Sequence, residues 1–296
     1  MGEGWPAAYA KGAEAMPPQS VKCQPRLSAN SFTPLLSVLH VGRNAEECES
    51  RKKSTGTFAS HIISLMPTNA DITSVYITGA QCTGKSTLVR ELRVAFHDIS
   101  QQLKIDEPAI ISEVARTVLA EHPIATEDIR ASPNRSLELQ TLILDAQVAA
   151  ERNALLQSSW FISDRSGIDP IVYARRYAGQ ESSAMMMESA AWLESKSRMA
   201  QSLIVVCEAG VDWLEDDGVR LMPQNWDDWI EFHHLFCLIL HEAGLYFFVL
   251  PHEMKSITER VRFVLSKWQL LVDERLGRKE EDKNLNLPFH GALNDI

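Results

Sequence analysis

Residues 79–86 read Gly-Ala-Gln-Cys-Thr-Gly-Lys-Ser, a G-x-x-x-x-G-K-S pattern that decides the fold of this chain. The preceding residues 72–78 are rich in β-branched and aromatic side chains, which is typical of a strand. After the pattern, apolar residues recur at helical spacing, for example Leu88, Leu92 and Ile99. A glycine-rich turn between strand and helix points backbone N–H groups at one place, and the helix N-terminus adds partial positive charge. The stretch is therefore predicted to cradle phosphates.

We expect this loop to bind a nucleoside triphosphate, which we interpret as ATP with Mg²⁺. Lys85 would reach the outer phosphates, and Ser86 would offer its hydroxyl group to Mg²⁺. The guanine-specificity motif N-K-x-D is absent from the sequence, which argues against a Ras-like GTPase. The predicted nucleotide-binding residues are Gly79, Ala80, Gln81, Cys82, Thr83, Gly84, Lys85, Ser86 and Thr87.

Composition limits the classes of protein to consider. With 296 residues, 45% of them apolar, the chain has room for one large α/β domain with tails or for two small domains. The net charge of −10 disfavours a duplex nucleic acid as partner, and no apolar run has the length of a membrane span. The five cysteines are odd in number and scattered, which predicts a reducing, cytoplasmic location without a disulfide framework.

The chain divides into three parts on composition. Residues 1–70 are interrupted by prolines and rich in small and polar residues, and we expect a mostly disordered N-terminal extension. Residues 71–275 carry the apolar periodicity and are predicted to form the folded domain. Residues 276–296 are polar and are predicted to be a flexible tail.

Strands and helices alternate within the predicted domain. After the first strand, apolar strands are predicted at residues 109–112, 160–163, 203–207 and 245–249. Helices are predicted at residues 136–158, 168–177, 183–200, 227–242 and 255–272. Continuous apolar strands separated by helices indicate a parallel sheet that is covered on both faces. The sequence therefore predicts an α/β fold with a five-stranded parallel sheet.

Polar residues follow three of these strands. Glu113 and Arg116 follow the second strand, Asp164 and Arg165 the third, and Glu208 the fourth. Ligands of open parallel sheets bind at the carboxyl ends of the strands. Carboxylates there could hold Mg²⁺ or activate a nucleophile, and arginines could neutralise charge on a transferring phosphoryl group.

Asp164 closes an apolar strand, which makes it, with Ser86, the expected ligand of Mg²⁺. Hydrolytic AAA+ motors place a glutamate directly after this aspartate, whereas Arg165 follows it here. This difference argues for transfer to a bound acceptor and against a motor. An alternative is that Asp164 and Arg165 cap the next helix or pair with each other.

The acidic, glycine-containing segment 212–220 follows Glu208. It is too polar to be core, and its position between a strand and a helix is that of a flexible lid. Arg220, at its end, is the residue suited to reach the γ-phosphoryl group.

Four pieces of the sequence resemble a known family. Residues 77–88, 112–116, 164–173 and 217–220 occur in the same order as in a P-loop kinase family. That family includes the ribosylnicotinamide kinase domain of bacterial NadR and related AAA-labelled domains of eukaryotes. The resemblance, which covers about residues 71–270, implies a P-loop NTPase fold with nucleoside-kinase-like strand order 2-3-1-4-5 and a lid. More distantly, the E-x-x-R and D-R-S pieces are similar to deoxynucleoside kinases, whose acid after the second strand is the catalytic base and whose arginine contacts phosphate.

These observations predict a small-molecule kinase that transfers the γ-phosphoryl group of ATP to a hydroxyl group of a nucleoside-like acceptor. The expected catalytic residues are Lys85, Glu113, Arg116, Asp164, Arg165 and Arg220, with either Glu113 or Asp164 taking the proton of the acceptor. The alternative is a nucleotide-dependent regulatory or binding module with little turnover, and a third possibility is ATP hydrolysis without an acceptor.

Three histidines and two tryptophans lie on or next to the predicted helix 227–242. His233, His234 and His241 lie on one predicted helix, and we interpret them as a solvated or half-buried face. Trp226 and Trp229, at the start of that helix, are expected to be core anchors.

Overall fold

The strands of the sheet lie close to where the sequence predicts them. The structure, a computed structural model, describes residues 67–122, 124, 126–212 and 223–277. Its strands are β1 (Val75–Thr78), β2 (Ala109–Ile111), β3 (Phe161–Asp164), β4 (Leu203–Cys207) and β5 (Phe248–Leu250). All four pairings are parallel, and the order is β2-β3-β1-β4-β5. The implied order 2-3-1-4-5 is thus confirmed.

The described residues contain nine helices. They are α1 (Lys85–Leu103), α2 (Val114–Glu121), α3 (Thr126–Ala131), α4 (Pro133–Gln157), α5 (Ile168–Tyr177), α6 (Gln180–Met187), α7 (Ala190–Met199), α8 (Trp226–Glu242) and α9 (Ile257–Arg275).

The predicted helix 183–200 is in fact two helices. The hydroxyl group of Ser189 accepts a hydrogen bond from the Trp192 N–H and begins α7. A serine at this position satisfies N–H groups that have no partner within the helix, so it starts a new helix instead of continuing the previous one.

The predicted strand 245–249 was placed too early. The chain turns at Gly244, whose φ is +68°, and the N–H of Leu245 donates to the carbonyl group of Leu240 at the end of α8. Leu245 therefore belongs to the helix terminus, where its side chain joins the core, and β5 begins three residues later at Phe248.

Helices cover both faces of the sheet, as the apolar strands predicted. Tyr76 points to one face and packs edge-on against Phe161, with ring centroids 5.3 Å apart. Val75 and Ile77 point to the opposite face. Helices α4 to α8 contribute to the core on the Tyr76 side, and α1 and α9 cover the other side. Because successive side chains of a strand point to opposite faces of the sheet, the apolar strands contribute to two separate apolar layers.

Several sequence predictions fall outside the described residues. These are the extension up to residue 66, the tail from residue 278 and the lid beyond Asp212, including Arg220. Among the helices that the structure describes, none combines the length and the apolar character needed to cross a bilayer.

The domain boundaries lead to a prediction. Residues 67–277 contain every described strand and both apolar layers. A fragment of residues 68–278 is therefore expected to unfold in one cooperative transition and to bind ATP as tightly as the full chain does. Calorimetric melting and titration with ATP, with the full chain as control, check this; aggregation or a broad transition would mean that the extension is part of the core.

Candidate functional site

The phosphate-loop pattern sits at the carboxyl end of the central strand β1. Gly79 adopts a φ of +125°, and a Cβ atom there would lie 2.6 Å from the Cys207 carbonyl oxygen at the end of β4. No side chain fits at that distance, so the first residue of the loop must be glycine. Gly84, with a φ of +80°, begins α1.

Side chains from other elements hold the carbonyl groups of the loop. The indole N–H of Trp229 donates to the Gln81 carbonyl oxygen at 3.0 Å, and an Arg260 N–H donates to that of Thr83 at 2.7 Å. The first N–H groups of a helix have no acceptor within the helix. With the carbonyl groups engaged, these N–H groups remain available to an anion at the start of α1.

Lys85 lies inside this loop and is buried. Its ammonium group donates to the carbonyl oxygens of Gly79 at 3.0 Å and Ala80 at 2.5 Å. Burial is the main cause that lowers the pKa of Lys85 to about 8; the nearby charge of Arg165 adds to this effect and the charge of Asp164 opposes it. An anion bound to the loop would stabilise the protonated amine.

Ser86 and Asp164, the predicted ligands of Mg²⁺, meet beside the loop. The Ser86 side chain hydrogen-bonds to the Asp164 carboxylate, while burial raises the pKa of Asp164. The Oδ1 atom of Asp164 is buried and has no hydrogen-bond partner among the described residues. A buried oxygen without a partner beside a hydroxyl group fits a hard divalent cation, which prefers oxygen ligands.

Arg165 is a buried cation between two carboxylates. Its side chain donates to Glu113 at 2.6 Å and to Asp169 at 3.2 Å, and it is only 7% exposed. Asp169 is fixed in turn by the Thr78 hydroxyl group at 2.6 Å. The N-terminal cap of α5 is Gly167, so Asp164 and Arg165 do not cap this helix, in contrast to the alternative raised above.

Glu113 is ionised in this setting. Burial alone would raise its pKa, but the charges of Arg165 and Lys85 and a hydrogen bond from Arg116 outweigh burial and lower the pKa to about 2. Arg116, which is half exposed, donates to the second carboxylate oxygen at 2.9 Å. The carboxylate is thus held by two arginines at the edge of the sheet.

Two adjacent pockets open at this edge. The first, of about 390 Å³, is lined by Cys82, Thr83, Gly84, Lys85, Ser86, Thr87, Glu113, Arg165, Lys255, Ile257 and Arg260. The second, of about 180 Å³, is lined by Gln81, Glu113, Ala115, Arg116, Leu119, Ile124, Ile129, Leu139, Gln140, Ile143, Arg165, Asp169, Pro170 and Tyr173. Glu113 and Arg165 line both pockets.

The second pocket contains residues that the sequence did not single out. Gln140 on α4 is only 3% exposed and lines this pocket. The hydroxyl group of Tyr173 hydrogen-bonds to the Gln81 side chain at 3.3 Å. Gln140 and Arg260 carry no motif; the only signals were a glutamine within an apolar helix face and an arginine in the first turn of the last helix.

Two expectations for α8 hold only in part. His234 and His241 are exposed, as expected, but His233 is buried and only 5% exposed. Trp226 is 47% exposed and so is not a core anchor, because it occupies the first turn of the helix, while Trp229, one turn later, is fully buried. A pattern of apolar residues at a helix start does not show how far the neighbouring elements extend.

Comparison with known proteins agrees with this fold. A structure of NadR protein in complex with NR superimposes with a TM-score of 0.51 at 21% identity, covering 71% of this chain and 53% of that chain. Lower TM-scores relate the chain to a deoxyadenosine kinase from M. mycoides with bound dATP (0.43, at 15% identity, covering 67% of this chain and 99% of that chain). A shikimate kinase from Acinetobacter baumannii in complex with shikimate gives 0.37, at 10% identity, covering 69% of this chain and 94% of that chain.

The chain thus spans about half the length of the NadR chain that it matches. No curated protein matches the sequence significantly. The AAA domain family (AAA_28) matches residues 74–260, which is more than half of the chain. The protein therefore belongs to this AAA domain family and has a P-loop kinase fold.

Proposed function

We propose that the protein is a small-molecule kinase that transfers the γ-phosphoryl group of ATP, with Mg²⁺, to a hydroxyl group of a nucleoside-like acceptor. The observation that carries this proposal is that Glu113 and Arg165 line both pockets. A phosphoryl group bound in the first pocket would face an acceptor in the second across these two side chains. Such positioning is the main requirement of phosphoryl transfer.

The first pocket has the groups that a triphosphate requires. The N–H groups at the start of α1 and the ammonium group of Lys85 would bind the phosphates. Arg260, which already fixes the loop through Thr83, adds positive charge to the wall of this pocket. Ser86 and the Oδ1 atom of Asp164 would hold Mg²⁺, which supplies neutralisation of charge on the phosphates when it is bound.

The second pocket has the groups that a small, partly polar ring would require. Its volume of about 180 Å³ is below the usual range for drug-sized ligands, which favours a compact acceptor. Its apolar walls would cover the faces of a ring. The amide group of Gln140, whose side chain lines this pocket, would pair with a donor and an acceptor on the ring edge.

The phosphoryl group would pass from the first pocket to the second beside Glu113 and Arg165, which line both pockets. The acceptor oxygen attacks the γ-phosphorus atom, the bond to the bridging oxygen of ADP breaks, and the hydroxyl proton moves to a carboxylate. Glu113 is favoured over Asp164 as this base because it lines the acceptor pocket and is ionised, whereas Asp164 is engaged with Ser86. Arg165, and Arg220 from the proposed lid, would stabilise charge on the transferred group.

The nucleotide site leads to a prediction for Lys85. Lys85→Ala is expected to weaken ATP binding by about tenfold to a hundredfold, because removing hydrogen bonds to a charged group costs about 1.5–3 kcal/mol. Calorimetric titration with ATP checks this, with thermal melting to show an intact fold. The matched control is Arg90→Ala, which removes a cation from the exposed face of the same helix. Equal affinity in the Lys85 variant and the wild type would refute the nucleotide site.

Transfer itself is tested with γ-labelled ATP, Mg²⁺ and a panel of nucleosides and polyols. Wild-type protein is expected to label one or more nucleoside-like acceptors. Glu113→Gln should lower the transfer rate on the order of 10²-fold or more and keep ATP affinity within about tenfold, since a general base acts in the transition state. Glu138→Gln, an exposed glutamate that also pairs with an arginine three residues away, is the control.

The outcome of this assay also separates the alternative functions. Tight ATP binding without transfer to any acceptor would favour a nucleotide-dependent binding module with little turnover. Release of labelled phosphate at the same rate with and without acceptors would favour simple ATP hydrolysis.

Gln140 gives a prediction for the acceptor alone. Gln140→Leu keeps the volume of the side chain but removes the amide group, so KM for the acceptor is expected to rise by about tenfold or more while ATP affinity is unchanged. Steady-state kinetics with the acceptor from the panel check this. A Gln140→Leu variant with wild-type KM would show that the second pocket is not where the acceptor binds.

A further inference from the structure

Glu208, which follows β4, has no part in the proposed function. The register that pairs Cys207 with Leu250 continues one residue further, where the Glu208 N–H donates to the Leu250 carbonyl oxygen at 3.1 Å. This places the Glu208 carboxylate beside the turn that follows β5. Both the backbone N–H and the Nδ1 atom of His252 lie within hydrogen-bond distance of its Oε2 atom, at 2.9 and 2.8 Å.

A second carboxylate joins this pair. Glu253 approaches the same His252 Nδ1 atom at 3.6 Å. One atom from each of Glu208, His252 and Glu253 lies within 4.8 Å of the other two. The parallel pairing of β4 with β5 therefore brings one imidazole and two carboxylates close together at the edge of the sheet.

A buried histidine on α8 is electrostatically coupled to this cluster. The Nδ1 atom of His233 is buried and has no hydrogen-bond partner among the described residues, and its other ring nitrogen lies 3.7 Å from the Cys237 sulfur. Burial lowers the pKa of His233 to about 4, and Glu208 and His252 are among the charged groups that act on it. The imidazole is thus neutral, with one unused nitrogen.

We propose that Glu208, His252 and Glu253 form a site for a borderline divalent cation such as Zn²⁺. Zn²⁺ takes imidazole nitrogen and carboxylate oxygen together, usually in four-coordinate sites, whereas Mg²⁺ favours oxygen ligands alone. Three protein ligands leave the fourth position to water.

The site is distinct from the proposed Mg²⁺ site and does not depend on the proposed kinase activity. Its ligands come from the ends of β4 and β5, while Ser86 and Asp164 lie beside the phosphate loop at the ends of β1 and β3.

Binding of Zn²⁺ alone to the full chain tests the proposal. The nucleotide-free protein is titrated with Zn²⁺ by calorimetry in the presence of excess Mg²⁺, which occupies hard oxygen sites. The wild type is expected to bind one equivalent, and His252→Ala and Glu253→Gln are each expected to weaken that binding at least tenfold. His97→Ala is the matched control. His97, on α1, forms a comparable exposed pair with Glu107, which lies in the loop after that helix.

Fold and nucleotide site are followed in parallel. The variants should melt at the wild-type temperature without metal, and Zn²⁺ should raise the melting temperature of the wild type and of His97→Ala but not of the other two. ATP affinity should be the same in all four proteins, so a failed kinase assay does not affect this result. The proposal is overturned if the wild type binds no stoichiometric Zn²⁺, or if Glu253→Gln and His252→Ala bind it as the wild type does.

Discussion

The pairing of β1 with β3 on one side and with β4 on the other is the constraint on which the functional edge depends. Parallel strands end at the same edge, so the phosphate loop, Asp164 and Glu208 are brought together although they are far apart in the sequence. The pairing also sets the composition of the loop. The carbonyl oxygen at the end of β4 lies 2.6 Å from where a Cβ atom of residue 79 would be. The close pairing of β1 with β4 is therefore possible only with glycine at this position.

The same edge carries an electrostatic cost. Arg165 is buried and adopts a φ of +86°, a conformation that costs a residue with a side chain about 1–3 kcal/mol. The ion pairs with Glu113 and Asp169 offset the burial of its charge, and leaving such a buried charge without one partner typically costs about 3–5 kcal/mol. A strained, buried arginine is poor for stability, and the proposed transfer between the two pockets would explain its position.

The sequence predicted what local rules determine. The G-x-x-x-x-G-K-S pattern, the apolar strands and the acids at strand ends each depend on neighbouring residues, and apart from the start of β5 the structure places them as expected. The residues that were missed depend on contacts far along the chain. Trp229 and Arg260 reach the loop across 148 and 177 residues, and no spacing rule relates them to it. The burial of Gln140 and His233 likewise depends on which helices pack against theirs.

Membership of an AAA domain family does not by itself distinguish a motor from a kinase, because one fold hosts several functions. We propose that the residues around the phosphate loop make the distinction. Where a motor has a glutamate to polarise water, this chain has Arg165. Its ionised Glu113 instead lines a pocket with mainly apolar walls. An acceptor that fills such a pocket displaces water from the carboxylate, so its hydroxyl group becomes the available nucleophile. The arrangement therefore favours transfer over hydrolysis, and selectivity against water would come from filling the pocket.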